Sequence, residues 1–169
     1  LQMGCWSEQV GFSIGETASE ADADFFLDDD LCLHHGDRSY PLQLTQPGQF
    51  NALNAVAAIV AARHAGVAID TAIDAMSRYA GVKRRQEIIA EINGVRIIDD
   101  FAHHPTAIGL TLNALKGATD GRLIAVLDIR SNTMKMGIHG DQLGASFAAA
   151  DLILLCENPE LQWDLAKMA

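Results

Sequence analysis

The chain has 169 residues, of which 49% are hydrophobic and 20% are charged, so it can bury one ordinary core or two small ones. Its net charge of −10 argues against a nucleic-acid partner, and no apolar run approaches the roughly 18 residues needed to cross a bilayer, so no membrane partner is expected either. The chain shows no secretory leader, and its three cysteines are widely spaced, so we expect no disulfide framework and a cytoplasmic location.

The first 46 residues predict short strands that are separated by turns. Strands are expected over 24–27, 31–35 and 39–44, with turns at Asp28-Asp29-Asp30 and Gly36-Asp37. The three consecutive acids could suggest a cation site, but the Asp-x-Asp-x-Asp-Gly spacing of a calcium loop is absent. We therefore interpret them as a surface turn.

Two helices are predicted next. The first is alanine-rich, covers 50–65 and is closed by Gly66. It is apolar around most of its circumference, which predicts a buried helix. Asp70 is predicted to cap the second helix, which runs to Tyr79 and ends at Gly81.

The pattern changes after Gly81, where we place a domain boundary that separates 1–81 from 82–169. Asn93-Gly94 between two β-type runs is a strong hairpin signal. The predicted elements that follow are a helix (107–116), a strand (123–128), a polar loop (129–140), a helix (142–149) and a strand (152–156). A last helical stretch is predicted after Asn158-Pro159. This alternation predicts the α/β class with a mainly parallel sheet.

The most polar segment of the chain, 99–106, joins a predicted strand to a predicted helix. Ligand sites of α/β proteins lie at the carboxyl ends of strands. There the Asp100 carboxylate could accept both hydroxyls of a ribose, and His103 and His104 could orient a carboxylate or a phosphate. A zinc site would need further ligands at suitable spacing, and none stands out, so no metal ligand is assigned.

Three other groups of polar residues have both a ligand-binding and a purely structural interpretation. Asn51 and Asn54 share a helix face and could bind the edge of adenine, or they could cap the helix and satisfy buried backbone. The cations at 83–85 could bind a phosphate, or they could simply be solvated. Arg130 and Lys135 make the loop after a strand an anion-recognition candidate, and the alternative is a flexible surface loop.

Three ordered motifs resemble those of the Mur ligase family, ATP-dependent amide-forming enzymes of peptidoglycan metabolism. Residues 48–54 resemble its Asn-x-x-Asn adenine motif, 81–87 its Arg-x-Glu segment, and 99–105 its Asp-Tyr-Ala-His signature, with Phe101 in place of the tyrosine. The resemblance implies a Rossmann-like C-terminal domain, which is preceded by the β-rich and helical end of a truncated central ATPase domain. We then expect residues 1–46 to be poorly ordered in isolation.

The signature and the loop at 130–137 are similar to those of the family branch that joins UDP-N-acetylmuramate to the recycled tripeptide L-alanyl-γ-D-glutamyl-meso-diaminopimelate. This resemblance implies that ATP phosphorylates the muramate carboxylate and that the tripeptide amine attacks the acyl phosphate. One alternative is the branch that adds L-alanine. Another is a non-catalytic nucleotide-binding module, and a third is a structural domain whose motif residues only pack.

The resemblance also implies a role for each matched residue. Asn51 and Asn54 would hold adenine, Asp100 the ribose and Arg85 a nucleotide phosphate, and His103 and His104 would line the catalytic site. Candidates for binding the peptide are Arg130, Ser131 and Lys135. The cofactors would be ATP and Mg²⁺, whose main binding groups, together with the N-terminal and ATPase domains, are absent here, since the sequence has no Gly-x-x-x-x-Gly-Lys-Ser/Thr. We expect the fragment alone to be inactive.

Overall fold

The computed structural model describes residues 9–15, 23–138 and 140–164, and the chain divides into two compact units, Leu1–Ala80 and Gly81–Ala169. The first unit contains a four-stranded sheet whose spatial order follows the sequence. Its strands are β1 (Phe12–Ile14), β2 (Phe25–Leu27), β3 (Cys32–His35) and β4 (Arg38–Pro41). β1 runs parallel to β2, and the other two pairings are antiparallel.

The two predicted turns of this sheet are confirmed, at 29–30 and 36–37. The first turn is closed by the Asp28 carboxylate, which accepts a hydrogen bond from the Cys32 backbone N–H at 2.8 Å. Strand β1 was not predicted from the sequence. It is only three residues long, and it pairs with a strand that begins at Phe25, beyond a long connection.

The core of the first unit lies between the sheet and two helices, α1 (Gln49–His64) and α2 (Ile69–Ser77). The predicted burial of α1 applies to one face only, which is formed by Ala52, Ala55, Val56 and Ile59. Most of the exposed positions of the helix are polar: Gln49, Asn54, Arg63 and His64, with Ala58 and Ala61 between them.

The predicted cap of the second helix is wrong. Ala68, in an extended conformation, is the N-cap of α2, and Asp70 lies within the first turn. A carboxylate in the first turn still stabilises the helix, because the N-terminal end of the helix dipole is positive. Asp70 therefore stabilises the start of α2 by its charge, although it is not the N-cap.

The second unit begins with the predicted hairpin, in which β5 (Glu87–Ile92) pairs with β6 (Val95–Asp99) in antiparallel fashion. Asn93 and Gly94 both have positive φ, 51° and 79°, as a type I′ turn requires. The elements that follow are α3 (Pro105–Gly117), β7 (Ile124–Leu127), α4 (Asn132–Lys135), α5 (Gly140–Ser146) and β8 (Leu152–Leu155).

Strands β7 and β8 pair in parallel, and their βαβ connection packs helices around a second core. That core consists of Ile108, Leu112, Ala125, Ile129, Met134, Leu143 and Phe147. The α/β class is confirmed. Among the described residues, the strands of this unit form two separate pairs, one antiparallel and one parallel.

Two local predictions for the second unit need correction. The predicted polar loop contains the short helix α4, whose Met134 is buried in the core. After Asn158-Pro159 the chain forms turns as far as Asp164, and the rest of the predicted helical stretch lies outside the described residues. Within the described part, no helix has the length and apolar character needed to cross a membrane.

Candidate functional site

The second unit contains a cleft of about 670 Å³ between β6 and β7, and the side chains of α3 form part of its wall. Part of its polar lining comes from the ends of these strands and the segments that follow them. Asp99, Asp100 and His103 lie at the carboxyl end of β6, and Arg130 and Ser131 lie beyond the carboxyl end of β7. The structure thus places these candidate groups at or beyond strand ends, where ligand sites of α/β proteins lie.

Asp100 connects two loops at one side of this cleft. Its Oδ2 accepts a hydrogen bond from the Gln86 backbone N–H at 2.9 Å, and its Oδ1 accepts one from the Ala102 backbone N–H at 2.7 Å. Each carboxylate oxygen has a second lone pair, so these contacts leave capacity for a ligand hydroxyl. Asp100 therefore holds the loop geometry and can still accept hydrogen bonds from the cleft.

The loop that Asp100 holds is conformationally strained. Arg84 and Gln86 have φ values of 60° and 51°, in the left-handed region that non-glycine residues rarely adopt. Gln86 is only 8% exposed. Strain of this kind persists only where surrounding contacts over-determine the backbone, and it is concentrated at functional sites.

Phe101 stands where the family signature has tyrosine, and its ring lies among cationic groups. The ring is 46% exposed, and the guanidinium carbons of Arg84 and Arg85 lie 5.2 and 5.5 Å from its centroid. The His103 ring meets it edge-on at 5.1 Å. Arg84 also lies 3.5 Å from Asp99 Oδ2. The cluster offers positive charge and a flat apolar face together, a combination that suits an anionic or aromatic ligand.

The Nδ1 atoms of the two adjacent histidines take opposite hydrogen-bond roles. The Nδ1 of His103 lies 3.0 Å from the Phe101 carbonyl oxygen, which can only accept, so this nitrogen carries a proton. The Nδ1 of His104 accepts a hydrogen bond from the Thr106 backbone N–H at 3.3 Å and must be unprotonated. His104 is the N-cap of α3 and does not line the cleft, whereas His103 does.

The loop after β7 carries the other candidate residues. Arg130 is 84% exposed in its side chain and donates through Nε to Asp128 Oδ2 at 2.6 Å. The Ser131 hydroxyl oxygen is buried and has no hydrogen-bond partner among the described residues. Lys135 lies outside the cleft lining and pairs with Glu160, whose pKa this ammonium group lowers.

The two asparagines lie in the first unit, in the first turns of α1. Asn51 donates from Nδ2 to the Pro47 carbonyl oxygen at 2.7 Å, which agrees with the backbone-satisfying alternative for this residue. Asn54 is exposed. Arg85, the predicted phosphate ligand, does not line the cleft, and its neighbour Arg84 does. No sequence signal distinguishes these two arginines, because the choice depends on the left-handed turn of their loop.

Comparison with known proteins gives one family match. The family model described as Mur ligase, glutamate ligase domain, matches residues 84–169. This range includes every cleft residue named above.

Individual relatives extend the similarity to the whole chain. The chain is 40% identical over 175 residues to UDP-N-acetylmuramate–L-alanyl-γ-D-glutamyl-meso-2,6-diaminoheptandioate ligase of Haemophilus influenzae, which covers 100% of this chain and 38% of that relative. It is 37% identical over 126 residues to UDP-N-acetylmuramate–L-alanine ligase of Mycolicibacterium vanbaalenii, with 71% of this chain and 26% of the relative covered. The crystal structure of a murein peptide ligase from Psychrobacter arcticus matches with a TM-score of 0.61 and 38% identity, over 93% of this chain and 34% of that one.

Proposed function

The chain belongs to the Mur ligase family, and we propose that it is part of an ATP-dependent ligase that joins UDP-N-acetylmuramate to L-alanyl-γ-D-glutamyl-meso-diaminopimelate. The observation that carries this proposal is the 40% identity to a ligase named for that reaction, which extends over the whole chain. The chain spans 38% of that relative's length, so the rest of the enzyme would supply the remaining parts of the site. We further propose that residues 1–81 end a central ATPase domain and that 82–169 belong to the C-terminal domain.

The second candidate is a ligase that adds L-alanine to the same nucleotide. It is favoured by the 37% identity to an enzyme of that name, but the match covers only 71% of this chain. The two reactions share one chemistry and differ in the size and charge of the amine. The tripeptide carries several carboxylates, whereas alanine carries one, so cationic groups in the cleft favour the tripeptide.

The proposed reaction has two steps. The γ-phosphoryl group of ATP is transferred to the muramate carboxylate, which gives an acyl phosphate and ADP. The amine nitrogen then forms a bond to the acyl carbon, the bond from that carbon to the phosphate oxygen breaks, and the amine loses a proton. Mg²⁺ would neutralise the phosphate charges. The sequence has no phosphate-binding loop, so the groups that hold the triphosphate and the metal would come from the rest of the enzyme.

The residues of this chain would contribute binding and proton transfer. Because the Nδ1 of His103 donates to the Phe101 carbonyl, its Nε2 in the neutral ring has a free lone pair, which could accept the proton that the amine loses. His104, as the N-cap of α3, would fix the start of the helix below the site. We propose that His103 is the catalytic histidine and that His104 is a positioning residue.

The nucleotide contacts are proposed from the family resemblance. Asn54, which is exposed at the start of α1, would bind the adenine edge, and Asn51 would do so with its carbonyl oxygen while its amide holds Pro47. The second lone pairs of Asp100 would accept the ribose hydroxyls. Arg85 would contact a phosphate, and the proximity of Arg84 to the same aromatic ring supports a cationic pair in this role.

The amine contacts are proposed for the loop after β7. The Ser131 hydroxyl is buried at the cleft and has no partner in the part of the chain that the structure describes, and a ligand carboxylate would satisfy it. Arg130 is held by Asp128 and is exposed enough to reach a second carboxylate. Lys135 would act with them only if a ligand displaced Glu160, so we expect it to contribute less.

A ligation assay tests the proposed function. The full-length polypeptide that contains this chain would receive ATP, Mg²⁺ and UDP-N-acetylmuramate, with L-alanine or the tripeptide in separate reactions, and products would be identified by mass. We expect a tripeptide adduct and little alanine adduct. An alanine adduct alone would support the second candidate, and no adduct with either amine would favour a non-catalytic nucleotide-binding module.

A further inference from the structure

Outside the cleft, one side-chain cluster in the first unit has the composition of a metal site. Asp28, Cys32 and His34 each present one ligand atom, and these three atoms lie within 4.8 Å of one another. We propose that they bind a divalent transition metal of the zinc class, with the Cys32 thiolate, the His34 Nε2 and an Asp28 carboxylate oxygen as ligands. This site is independent of the ligase reaction.

The backbone of the β2–β3 turn brings the three groups together. Cys32 and His34 are two positions apart on β3, so their side chains lie on the same face of the strand. Asp28 follows β2 directly, and Leu31 adopts a φ of 58°, which tightens the turn between them. Asp28 also accepts the Cys32 N–H through Oδ1 at 2.8 Å, which leaves Oδ2 directed at His34 Nε2, also at 2.8 Å.

Two further features prepare the ligands for a metal. The Ser39 hydroxyl on β4 lies 3.0 Å from His34 Nδ1, so this nitrogen can donate to it and leave Nε2 with the lone pair that a metal needs. Side-chain exposures of 25% for His34 and 31% for Asp28 leave an entry path.

The distances permit a tetrahedral centre after a small adjustment. Zinc bonds of about 2.0–2.3 Å to N, O and S place neighbouring ligand atoms roughly 3.3–3.6 Å apart. The 2.8 Å between His34 Nε2 and Asp28 Oδ2 would therefore open by about half an ångström. One thiolate, one imidazole and one carboxylate favour zinc over magnesium or calcium, which prefer oxygen ligands. Three protein ligands leave the fourth position for water.

The alternative is that Asp28 and His34 form only a hydrogen-bonded pair that stabilises the hairpin. That reading explains the contact of these two residues but assigns nothing to the Cys32 thiol. The two readings differ in whether the thiol contributes to affinity for a metal ion. An experiment on the thiol therefore separates them.

The test is a titration of the reduced 169-residue chain with Zn²⁺ by calorimetry and with Co²⁺ by absorption. We expect one high-affinity equivalent of Zn²⁺ and a thiolate-to-cobalt charge-transfer band in the near ultraviolet. Cys32→Ser should abolish the band, and both Cys32→Ser and His34→Gln should weaken Zn²⁺ binding by about tenfold or more. The matched controls are Cys156→Ser and His64→Gln, which change an exposed thiol and an exposed imidazole elsewhere.

The absence of a charge-transfer band in the unmodified chain would overturn the proposal, and this result requires no variant to fold. Wild-type Zn²⁺ affinity in either ligand variant would also overturn it, as would a band that disappears in a Cys5→Ser or Cys156→Ser chain. Circular dichroism of the metal-free variants would check that they retain the secondary structure of the unmodified chain.

Discussion

The two units of this chain bury their apolar strands to very different degrees. In the first unit Phe25, Leu27 and Leu33 are 0% exposed, and the four strands form one hydrogen-bonded sheet. In the second unit Val126 on β7 is 67% exposed and Leu154 on β8 is 50% exposed. Strands of nearly continuous apolar sequence are typical of parallel sheets that are covered on both faces. The second unit, as it stands in this chain, covers only part of that surface.

The difference shows that apolar composition does not by itself decide burial. Both units have strands rich in large hydrophobic residues, but neighbouring elements remove them from water more completely in the first unit. The order of the cleft loops in the second unit depends instead on polar contacts, such as those that Asp100 makes to two backbone N–H groups. We therefore expect core substitutions to matter most in the first unit and polar substitutions to matter more in the second.

The largest expected effect is a loss of unfolding free energy when a buried isoleucine is truncated, and an exposed isoleucine serves as the comparison. Ile59 is 1% exposed in the first unit, and Ile97 is 46% exposed on β6. Ile59→Ala should lower the free energy of unfolding by about 2–5 kcal/mol, because it removes buried methyl groups and leaves a cavity. Ile97→Ala should cost less than about 1 kcal/mol. Urea unfolding, followed by circular dichroism, measures both, and equal losses would contradict the burial difference between the units.

A smaller effect is expected for the carboxylate that holds the cleft loops. Asp100→Ala leaves the N–H groups of Gln86 and Ala102 without their acceptor and should cost about 1–3 kcal/mol. The control is Asp99→Ala, since the Asp99 carboxylate makes a long 3.5 Å contact with the Arg84 side chain and does not hold these two N–H groups. Hydrogen exchange at the Gln86 and Ala102 amides should accelerate in Asp100→Ala alone. Unchanged exchange there would show that the loops are held by other contacts.

Two glycines with positive φ provide the next comparison. A Cβ added at Gly137 would lie 2.9 Å from the Trp163 ring, whereas one added at Gly36 in the first unit would meet nothing within 4 Å. Gly36→Ala should cost only the left-handed backbone penalty of about 1 kcal/mol, and Gly137→Ala should cost more because the indole must move. The Trp163 Nε1–H donates to the Met134 carbonyl, so its fluorescence should change in Gly137→Ala. Equal losses of stability in the two variants, with unchanged fluorescence, would contradict this.

The smallest expected effect is the loss of stability at low pH that comes from Asp151. A hydrogen bond from the Lys116 ammonium group, and a weaker contribution from the Leu123 N–H, lower the pKa of Asp151 below its usual 3.8. The ionised carboxylate therefore stabilises the folded second unit. This contribution is present above pH 3.8 and is lost as the pH falls through the lowered pKa. The unfolding midpoint of Asp151→Asn should therefore lie slightly below that of the unmodified chain at neutral pH and converge with it in acid. Asp120→Asn is the control, and a gap that widens in acid would reverse the assigned sign.

The sequence predicted features that depend on local chemistry. The Asn93-Gly94 hairpin followed from the positive φ that both residues tolerate, and the position of Asp100 and His103 after a strand followed from the signature segment. The same reasoning missed β1, since parallel pairing with a distant strand has no local signal. It also missed α4, whose four residues lie in a segment that looks polar.

The contacts that depend on tertiary geometry could not be predicted. A left-handed turn determines which of Arg84 and Arg85 lines the cleft. The tight turn between β2 and β3 brings Asp28 into contact with His34. The expectation that residues 1–46 are poorly ordered assumed a sheet without neighbours. It stays a prediction, and strong hydrogen-exchange protection of the amides from Phe25 to Leu44 would contradict it.

We propose that the cleft of the second unit holds the amine substrate of a tripeptide ligase, and a kinetic comparison in the full-length enzyme tests this proposal directly. Steady-state ligation rates would be measured for Ser131→Ala and Arg130→Gln, with the tripeptide and ATP varied separately. We predict that KM for the tripeptide rises by about tenfold in each variant, which corresponds to about 1.4 kcal/mol, while KM for ATP is unchanged. An unchanged KM for the tripeptide, or a rise confined to ATP, would contradict the claim.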